Sequence, residues 1–128
     1  MTEGLADTSV FIARESGRPL RTEALPDRLL VSVITIGELR TGVLAADDLA
    51  TRDRRLATLT AALAFDPVPV DDDVAVAWGR LRITLRDHGL RMPVNDSWIA
   101  ATAISLGVPL VTQDEDHPEV AGLDVIRV

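Results

Sequence analysis

The sequence predicts an α/β fold in which helices cover both faces of a central, mostly parallel sheet of about five strands. Two observations lead to this prediction. Short apolar stretches alternate with longer stretches of helical periodicity along the whole chain. The 128 residues suit one domain with one core, and they contain no repeat, low-complexity segment or linker. We therefore expect a single domain spanning residues 1–128.

The first half of the chain is predicted to contain two strands and three helices. Residues 4–6 are apolar and form the first strand, and a helix begins at residues 10–13. Two prolines and no periodicity indicate a loop at 17–27, with room for one turn of helix. A second strand at 29–32 precedes helices at 34–44 and 49–65, which carry apolar residues at helical spacing.

The second half begins with residues 68–70, which are expected to form only a short edge strand because a proline cannot donate to a ladder. Residues 71–73 are acidic and cap the helix that follows them. The stretch 95–116 is predicted as helix, turn, strand at 109–111 and acidic loop, with Asn95 or Asp96 as the helix cap and Gly107 as its stop. A last strand lies within 123–128.

The helix within this stretch is predicted to place a carboxylate on its core-facing side. One face of this helix is predicted to be buried. Asp96 lies three residues before Ile99 and four before Ala100, both on that face, so its side chain is expected on the same side. The predicted core positions are Ile99, Ala100, Ala103, Leu106 and Gly107.

Composition limits the classes of function. The chain is 47% hydrophobic, has no apolar run long enough to cross a bilayer and no signal peptide, so we expect a cytoplasmic protein without a membrane partner. It has no cysteine, which excludes disulfides and thiolate metal sites. All 13 basic residues are arginines, and the net charge is −7. This charge disfavours nucleic-acid binding unless cations offset it, because binding to the phosphate backbone needs positive charge.

Five acidic residues are expected to meet at one edge of the sheet. Right-handed crossovers place the carboxyl ends of parallel strands along the same edge. Three of the acids follow strands, one heads a helix, and Glu38 lies about two turns past a strand. Gly37, a poor helix former next to Glu38, suggests that another group approaches closely there. The five acids are Asp7, Glu38, Asp96, Asp114 and Asp116.

Such a cluster fits a hard divalent cation. Neighbouring carboxylates raise one another's pKa unless a cation lies between them. Carboxylate oxygens without cysteine or convergent histidines suit Mg²⁺ or Mn²⁺, and that arrangement supports metal-assisted phosphodiester hydrolysis. His88 and His117 are expected to lie at the surface.

Other carboxylate and phosphate-binding folds do not match. A response regulator needs a lysine, and the chain has none. A haloacid-dehalogenase-like phosphatase needs a second aspartate two residues after the first, where this chain has Ser9. No GxGxxG or GxxxxGK motif is present, which excludes dinucleotide and P-loop sites.

Four segments in order resemble the motifs of PIN-domain ribonucleases, and the short chain is most similar to VapC-type toxins of bacterial toxin–antitoxin pairs. The segments are 7–10 (Asp-Thr-Ser-Val), 32–39 (through Glu38), 96–101 (from Asp96) and 111–116 (through Asp114). The resemblance implies an α/β/α sandwich, an Mg²⁺-dependent endoribonuclease for which Mn²⁺ substitutes, a homodimer, and inhibition by an antitoxin whose C-terminal arm covers the site.

The same resemblance assigns roles to residues. It implies metal ligation or water positioning by Asp7, Glu38, Asp96 and Asp114, with Asp116 as an auxiliary ligand and Thr112 as a polar support. His117 departs from the family, which often has an aromatic residue there. The five acids carry five of the seven net negative charges, so two bound divalent ions would leave the protein only mildly acidic.

The sequence also predicts arginines that contact RNA, and it leaves two alternative functions open. Three arginines lie on or beside the helix that leads into the acidic edge, and we expect at least one to bind an RNA phosphate; they are Arg82, Arg86 and Arg91. One alternative is a non-catalytic PIN-fold module whose acidic edge binds a basic peptide. The other is a DNA-directed nuclease of the same fold.

Overall fold

A four-stranded parallel sheet forms the centre of the protein, in a computed structural model that describes all 128 residues. Its strands are Glu3–Ala6 (β1), Arg28–Val31 (β2), Leu110–Thr112 (β3) and Val125–Arg127 (β4), in the order β2-β1-β3-β4. β1 pairs with β2 and β3, and β4 pairs with β3. The predicted α/β class is thereby confirmed.

Five α-helices surround the sheet. They are Thr8–Glu15 (α1), Val33–Leu44 (α2), Leu49–Leu63 (α3), Asp72–Asp87 (α4) and Val94–Leu106 (α5), and a short 3₁₀ helix covers Thr22–Ala24. In four of the five, a side-chain oxygen of the preceding residue accepts a hydrogen bond from the first turn. None of the helices is both long and apolar enough to cross a membrane.

Two hydrophobic cores lie on opposite faces of the sheet, because side chains alternate along each strand. Leu5 and Leu110 contribute to one core together with residues of α4 and α5. Ala6 and Val111 contribute to the other with residues of α1, α2 and α3. The molecule is therefore a three-layer α/β/α sandwich.

Two predictions about individual elements need correction. The expected fifth strand is only an isolated bridge between Ser32 and Val68, since Pro69 has no N–H with which to extend the pairing. Helix α5 begins at Val94 with Pro93 as its N-cap and no side-chain cap bond, so neither Asn95 nor Asp96 caps it. Asp96 lies instead inside the first helical turn.

The predicted buried face of α5 is confirmed in part. Ile99, Ala100 and Ala103 are fully buried, whereas Leu106 is 41% exposed and Gly107 is also exposed. Three further residues of α5 are also buried, so the helix is enclosed on more than one side; they are Ser97, Ala101 and Thr102. Gly107 ends the helix in the left-handed conformation, with φ 67°, as predicted.

Candidate functional site

The carboxyl ends of β1 and β3 define a crevice at the centre of the sheet edge. The two strands are neighbours, and the chain leaves β1 toward β2 on one side and β3 toward β4 on the other. Parallel sheets bind ligands at such a reversal of strand order. Asp7 follows β1 directly, and Asp114 comes two residues after β3.

Asp7 is the only acidic residue among the buried residues of the chain, with 8% of its surface exposed. It is also the N-cap of α1, and its Oδ1 accepts the backbone N–H of Ser9 at 3.0 Å. Burial raises the pKa of Asp7, while hydrogen bonds from Ser9 and Thr112 and the nearby His117 oppose that rise. The carboxylate is therefore held where its charge is poorly solvated.

Ser9 connects Asp7 to the loop after β3. Its hydroxyl donates to Asp7 and accepts the backbone N–H of Gln113 at 2.9 Å. The buried Thr112 lies beside it, with 3.3 Å between the two hydroxyl oxygens. Thr112 Oγ1 in turn accepts the backbone N–H of Asp114 at 3.0 Å. These bonds fix the position of Asp114 relative to Asp7.

Glu38 is held at the edge by two threonines. The Thr8 hydroxyl donates to Glu38 Oε1 at 2.7 Å. The hydroxyl oxygens of Thr8 and the fully buried Thr35 are 3.0 Å apart. Because a carboxylate only accepts, the single proton of Thr8 is directed to Glu38, and Thr35 must donate to Thr8. The result is a directed chain of hydrogen bonds from Thr35 to Glu38.

Asp96 is half-buried in the first turn of α5 and lies within electrostatic range of the other acids. Its pKa is raised chiefly by burial and then by the charges of Asp7, Glu38 and Asp114, whereas His117 opposes the rise. Acids from three other segments of the chain thus act electrostatically on Asp96.

Asp114 and Asp116 are both exposed. Asp114 Oδ1 accepts the backbone N–H of Asp116 at 2.9 Å, and the side chain of Asp116 makes no hydrogen bond or ion pair. No three His, Asp or Glu side chains are close enough together to hold a metal ion as they stand. The structure therefore places the acids around one crevice without arranging them as a finished coordination sphere.

The donor chemistry of this crevice nevertheless fits a hard cation. Its acids are oxygen donors, and one of them, Asp7, is a poorly hydrated carboxylate that a cation would neutralise. Mg²⁺ keeps several waters and needs only one or two direct protein carboxylates, so a loosely spaced set is compatible with it.

Two expectations next to the acids are wrong. His117 is not at the surface: it is 5% exposed, its Nδ1 faces Pro118 O at 3.1 Å, and its buried Nε2 has no partner. His88 is exposed, as expected. Gly37 is also exposed, and a Cβ there would meet no atom within 4 Å, so no close approach explains this glycine.

The three arginines predicted to contact RNA lie together at the end of α4. Arg82, Arg86 and Arg91 are all exposed and line one cavity of about 350 Å³. None of them forms an ion pair with an acid of the crevice; Arg86 pairs with Asp87 at 3.2 Å. The cavity adjoins the start of α5, since Val94 also lines it.

The sequence reasoning did not assign roles to the hydroxyl residues Thr8, Ser9 and Thr35. The available signal was their position, because Thr8 and Ser9 directly follow Asp7, and Thr35 precedes Glu38 by one helical turn. Hydroxyl groups so close to candidate carboxylates can orient them.

Comparison with known proteins agrees with this architecture. The sequence pattern of the PIN domain matches residues 5–123. Ribonuclease VapC5 of Mycobacterium tuberculosis is 49% identical over 128 residues, covering 98% of this chain and 95% of the relative. Ribonuclease VapC4 of the same organism is 45% identical over 129 residues, covering 97% and 95%. The crystal structure of VapBC-5 from M. tuberculosis, a member of the VapBC family of toxin–antitoxin systems, matches with a TM-score of 0.91, 45% identity and full coverage of both chains.

Proposed function

This chain belongs to the PIN-domain family, as a VapC-type toxin, and from that premise we propose that it is a metal-dependent endoribonuclease. The observation that carries the proposal is that Asp96 lies within electrostatic range of Asp7, Glu38 and Asp114 at one sheet edge, where hydrogen bonds through Ser9 and Thr112 also link Asp7 to the loop of Asp114. Relatives of similar length are named ribonucleases. Carboxylates gathered with only one buried histidine, His117, to offset their charge are suited to a cation that acts on phosphate.

Mg²⁺, or Mn²⁺ in its place, is the proposed cofactor. Asp7, Asp96 and Asp114 would hold it, with Glu38 and Asp116 completing the set through direct contact or through water. When bound, the ion supplies Lewis-acid stabilisation of the phosphate and lowers the pKa of a water molecule. The role of Thr112 is to hold the loop that carries Asp114, through the bond to its backbone N–H.

The chain's own groups would orient the attacking water and exclude a metal-free route. Glu38, whose carboxylate accepts a hydrogen bond from Thr8, would accept a proton from water at the edge of the crevice. Cleavage of RNA without metal uses a pair of histidines near the 2′-hydroxyl, and here His88 is exposed just after α4 while His117 is buried. We therefore expect 5′-phosphate and 3′-hydroxyl ends.

An end-mapped cleavage assay on total cellular RNA tests the proposal. We expect cleavage with Mg²⁺ or Mn²⁺ that leaves 5′-phosphate ends. This cleavage should be lost in EDTA and in the Asp96→Asn variant. Cyclic phosphate ends, or full activity in EDTA, would contradict it. An equimolar DNA strand in the same reaction distinguishes a DNA-directed nuclease, which would cut the DNA in preference to the RNA. A protein that cuts neither strand but binds a basic peptide through the crevice would be the non-catalytic module.

We further propose a VapB-type antitoxin as the partner and a homodimer as the assembly. Related structures are described as VapBC complexes. A cavity of about 250 Å³ lies next to Glu38 and is lined by α1, α2 and α3 residues that include Ile12 and Leu39. An antitoxin segment would place apolar side chains there and an arginine against the carboxylates, which a guanidinium matches in bidentate fashion. Inhibition that persists after every arginine of the co-purified partner becomes alanine would refute the arginine contact.

A further inference from the structure

The cavity at the end of α4 concentrates positive charge in an acidic protein. It is lined by three of the chain's 13 basic residues, Arg82, Arg86 and Arg91, and by no acidic residue. The rest of its lining is apolar, from residues such as Leu90 and Pro93. Because the whole chain has a net charge of −7, a group of three arginines with no acidic lining residue is a local site of positive potential.

The three guanidinium groups are available to a ligand. Arg82 and Arg91 make no hydrogen bond or ion pair with the protein. Arg86 pairs only with its exposed neighbour Asp87, and an exposed pair of this kind contributes little and exchanges readily.

Arg82 contacts an aromatic ring of its own helix. Its guanidinium carbon lies 5.5 Å from the centre of the Trp78 ring, a cation–π contact that leaves the N–H edges free. Trp78 is itself fixed, because it stacks on Trp98 at 4.2 Å with 2° between the ring planes and donates to Ser97 at 2.9 Å. This arrangement reduces the entropy lost when Arg82 binds an anion.

The cavity at the end of α4 adjoins the first turn of α5, the turn that carries Asp96 of the candidate active site. Val94 lines the cavity and opens α5, and Asp96 follows two residues later in the same turn, on the opposite side of the helix. The first turn of α5 has no side-chain cap, so its free N–H groups and its positive end lie between the cavity and Asp96. An extended strand whose phosphate occupies the cavity would reach Asp96 by passing over the start of this helix.

We propose that Arg82, Arg86 and Arg91 form a phosphate-binding subsite for single-stranded RNA that flanks the scissile bond. This inference rests on the proposed ribonuclease function, since it is the position of Asp96 that favours RNA over an acidic protein segment. Guanidinium groups bind phosphate in bidentate fashion, and the apolar lining suits the adjoining sugar and base.

Salt-dependent RNA binding tests the subsite. The probe is a fluorescent 20-nucleotide single-stranded RNA of mixed sequence, bound in EDTA so that it stays intact, with Kd measured at several salt concentrations. The variants are Arg82→Gln, Arg86→Gln, Arg91→Gln and their triple combination. Arg80→Gln is the matched control, because Arg80 is exposed on the same helix but does not line this cavity.

Loss of each phosphate contact is expected to lower the slope of log Kd against log salt by about 0.7, and the triple variant by up to about 2. The control should keep the wild-type slope. All variants should stay folded because the arginines are exposed, and only those that lack the Arg82–Trp78 contact should melt slightly lower. Unchanged slopes in the triple variant would overturn the subsite, as would variants that lose only antitoxin binding. If wild type neither binds nor cuts RNA, the proposed function itself fails, which is a separate result.

Discussion

At the scale of single residues, Asp7 carries the clearest conflict between stability and chemistry. It caps α1 through the Ser9 backbone N–H, and for that purpose a neutral Asn would serve equally well. The protein nevertheless buries a carboxylate there, and burial raises its pKa. The negative charge is thus held at a cost in stability, as expected of a group kept for function.

Replacing Asp7 with Asn is expected to stabilise the metal-free protein at neutral pH by about 0.5–2 kcal/mol. A carboxyl group whose pKa is raised on folding contributes most stability below its unfolded pKa, and that contribution is lost as pH rises through the folded value. The stability difference between Asp7→Asn and wild type should therefore shrink as pH falls from 7 toward the ordinary value of 3.8. Thermal melts in EDTA across this range measure it, and a difference that grows on acidification would contradict the assignment.

Thr8 is expected to act as a positioning residue through Glu38. Thr8→Val removes the hydroxyl that donates to Glu38 at nearly constant shape. Removing such a supporting partner commonly lowers metal affinity or activity 10- to 100-fold, and we expect a loss in that range for Mn²⁺ affinity and for the cleavage rate. Thr8→Ser keeps the hydroxyl and should restore most of the affinity and of the cleavage rate. A Val variant with wild-type Mn²⁺ affinity and cleavage rate would show that the Thr8–Glu38 bond is only structural.

At the scale of elements, two glycines have opposite roles. Gly107 ends α5 with φ 67°, where a Cβ is strained. Gly37 lies inside α2, exposed and with open space around its missing Cβ.

Gly37→Ala is therefore expected to raise the free energy of unfolding by about 0.5–1 kcal/mol, and Gly107→Ala to lower it by a similar amount. Urea unfolding measures both. If Gly37→Ala is stable but impaired in RNA cleavage or antitoxin binding, a partner approaches the helix at this point in the complex, and the glycine is kept for that contact.

The sequence was sufficient to predict the elements and their order, but not all of their ends. Apolar stretches and caps identified four strands and five helices because those signals are local. Pro93 as the N-cap of α5 was missed, since Asn95 and Asp96 are stronger cap signals in sequence and only the tertiary position of the preceding loop decides between them. The burial of His117 was missed for the same reason: it depends on how the loop after β3 folds back.

At the scale of the whole molecule, topology brings the candidate site together. Asp7 and Asp114 are more than 100 residues apart in the chain, yet they follow adjacent strands of one sheet. Sequence could predict this convergence because parallel strands share an edge. It could not predict the hydroxyl bonds that fix Asp7, Glu38 and Asp114, because those depend on side-chain contacts between segments.

The gathered charges should store repulsion that either a mutation or a metal relieves. Asp96→Asn removes one charge at constant shape, and the helix loses only the dipole interaction of a first-turn acid, about 0.3–1 kcal/mol, because Asp96 makes no cap bond. We expect a higher melting temperature in EDTA together with loss of cleavage. A lower melting temperature in EDTA would indicate that Asp96 is retained for the helix.

Binding of Mn²⁺, followed by electron paramagnetic resonance, tests most directly whether the acids of four distant segments form one metal site. The comparison is wild type, Asp96→Asn, Asp114→Asn, and Asp53→Asn as the control, an exposed acid on α3 that is not among the charges acting on Asp96. We predict that wild type and the control bind Mn²⁺ with equal affinity, that Mg²⁺ displaces it, and that each site variant binds at least about tenfold more weakly. Equal affinity in all four proteins, or no binding by wild type, would contradict the account.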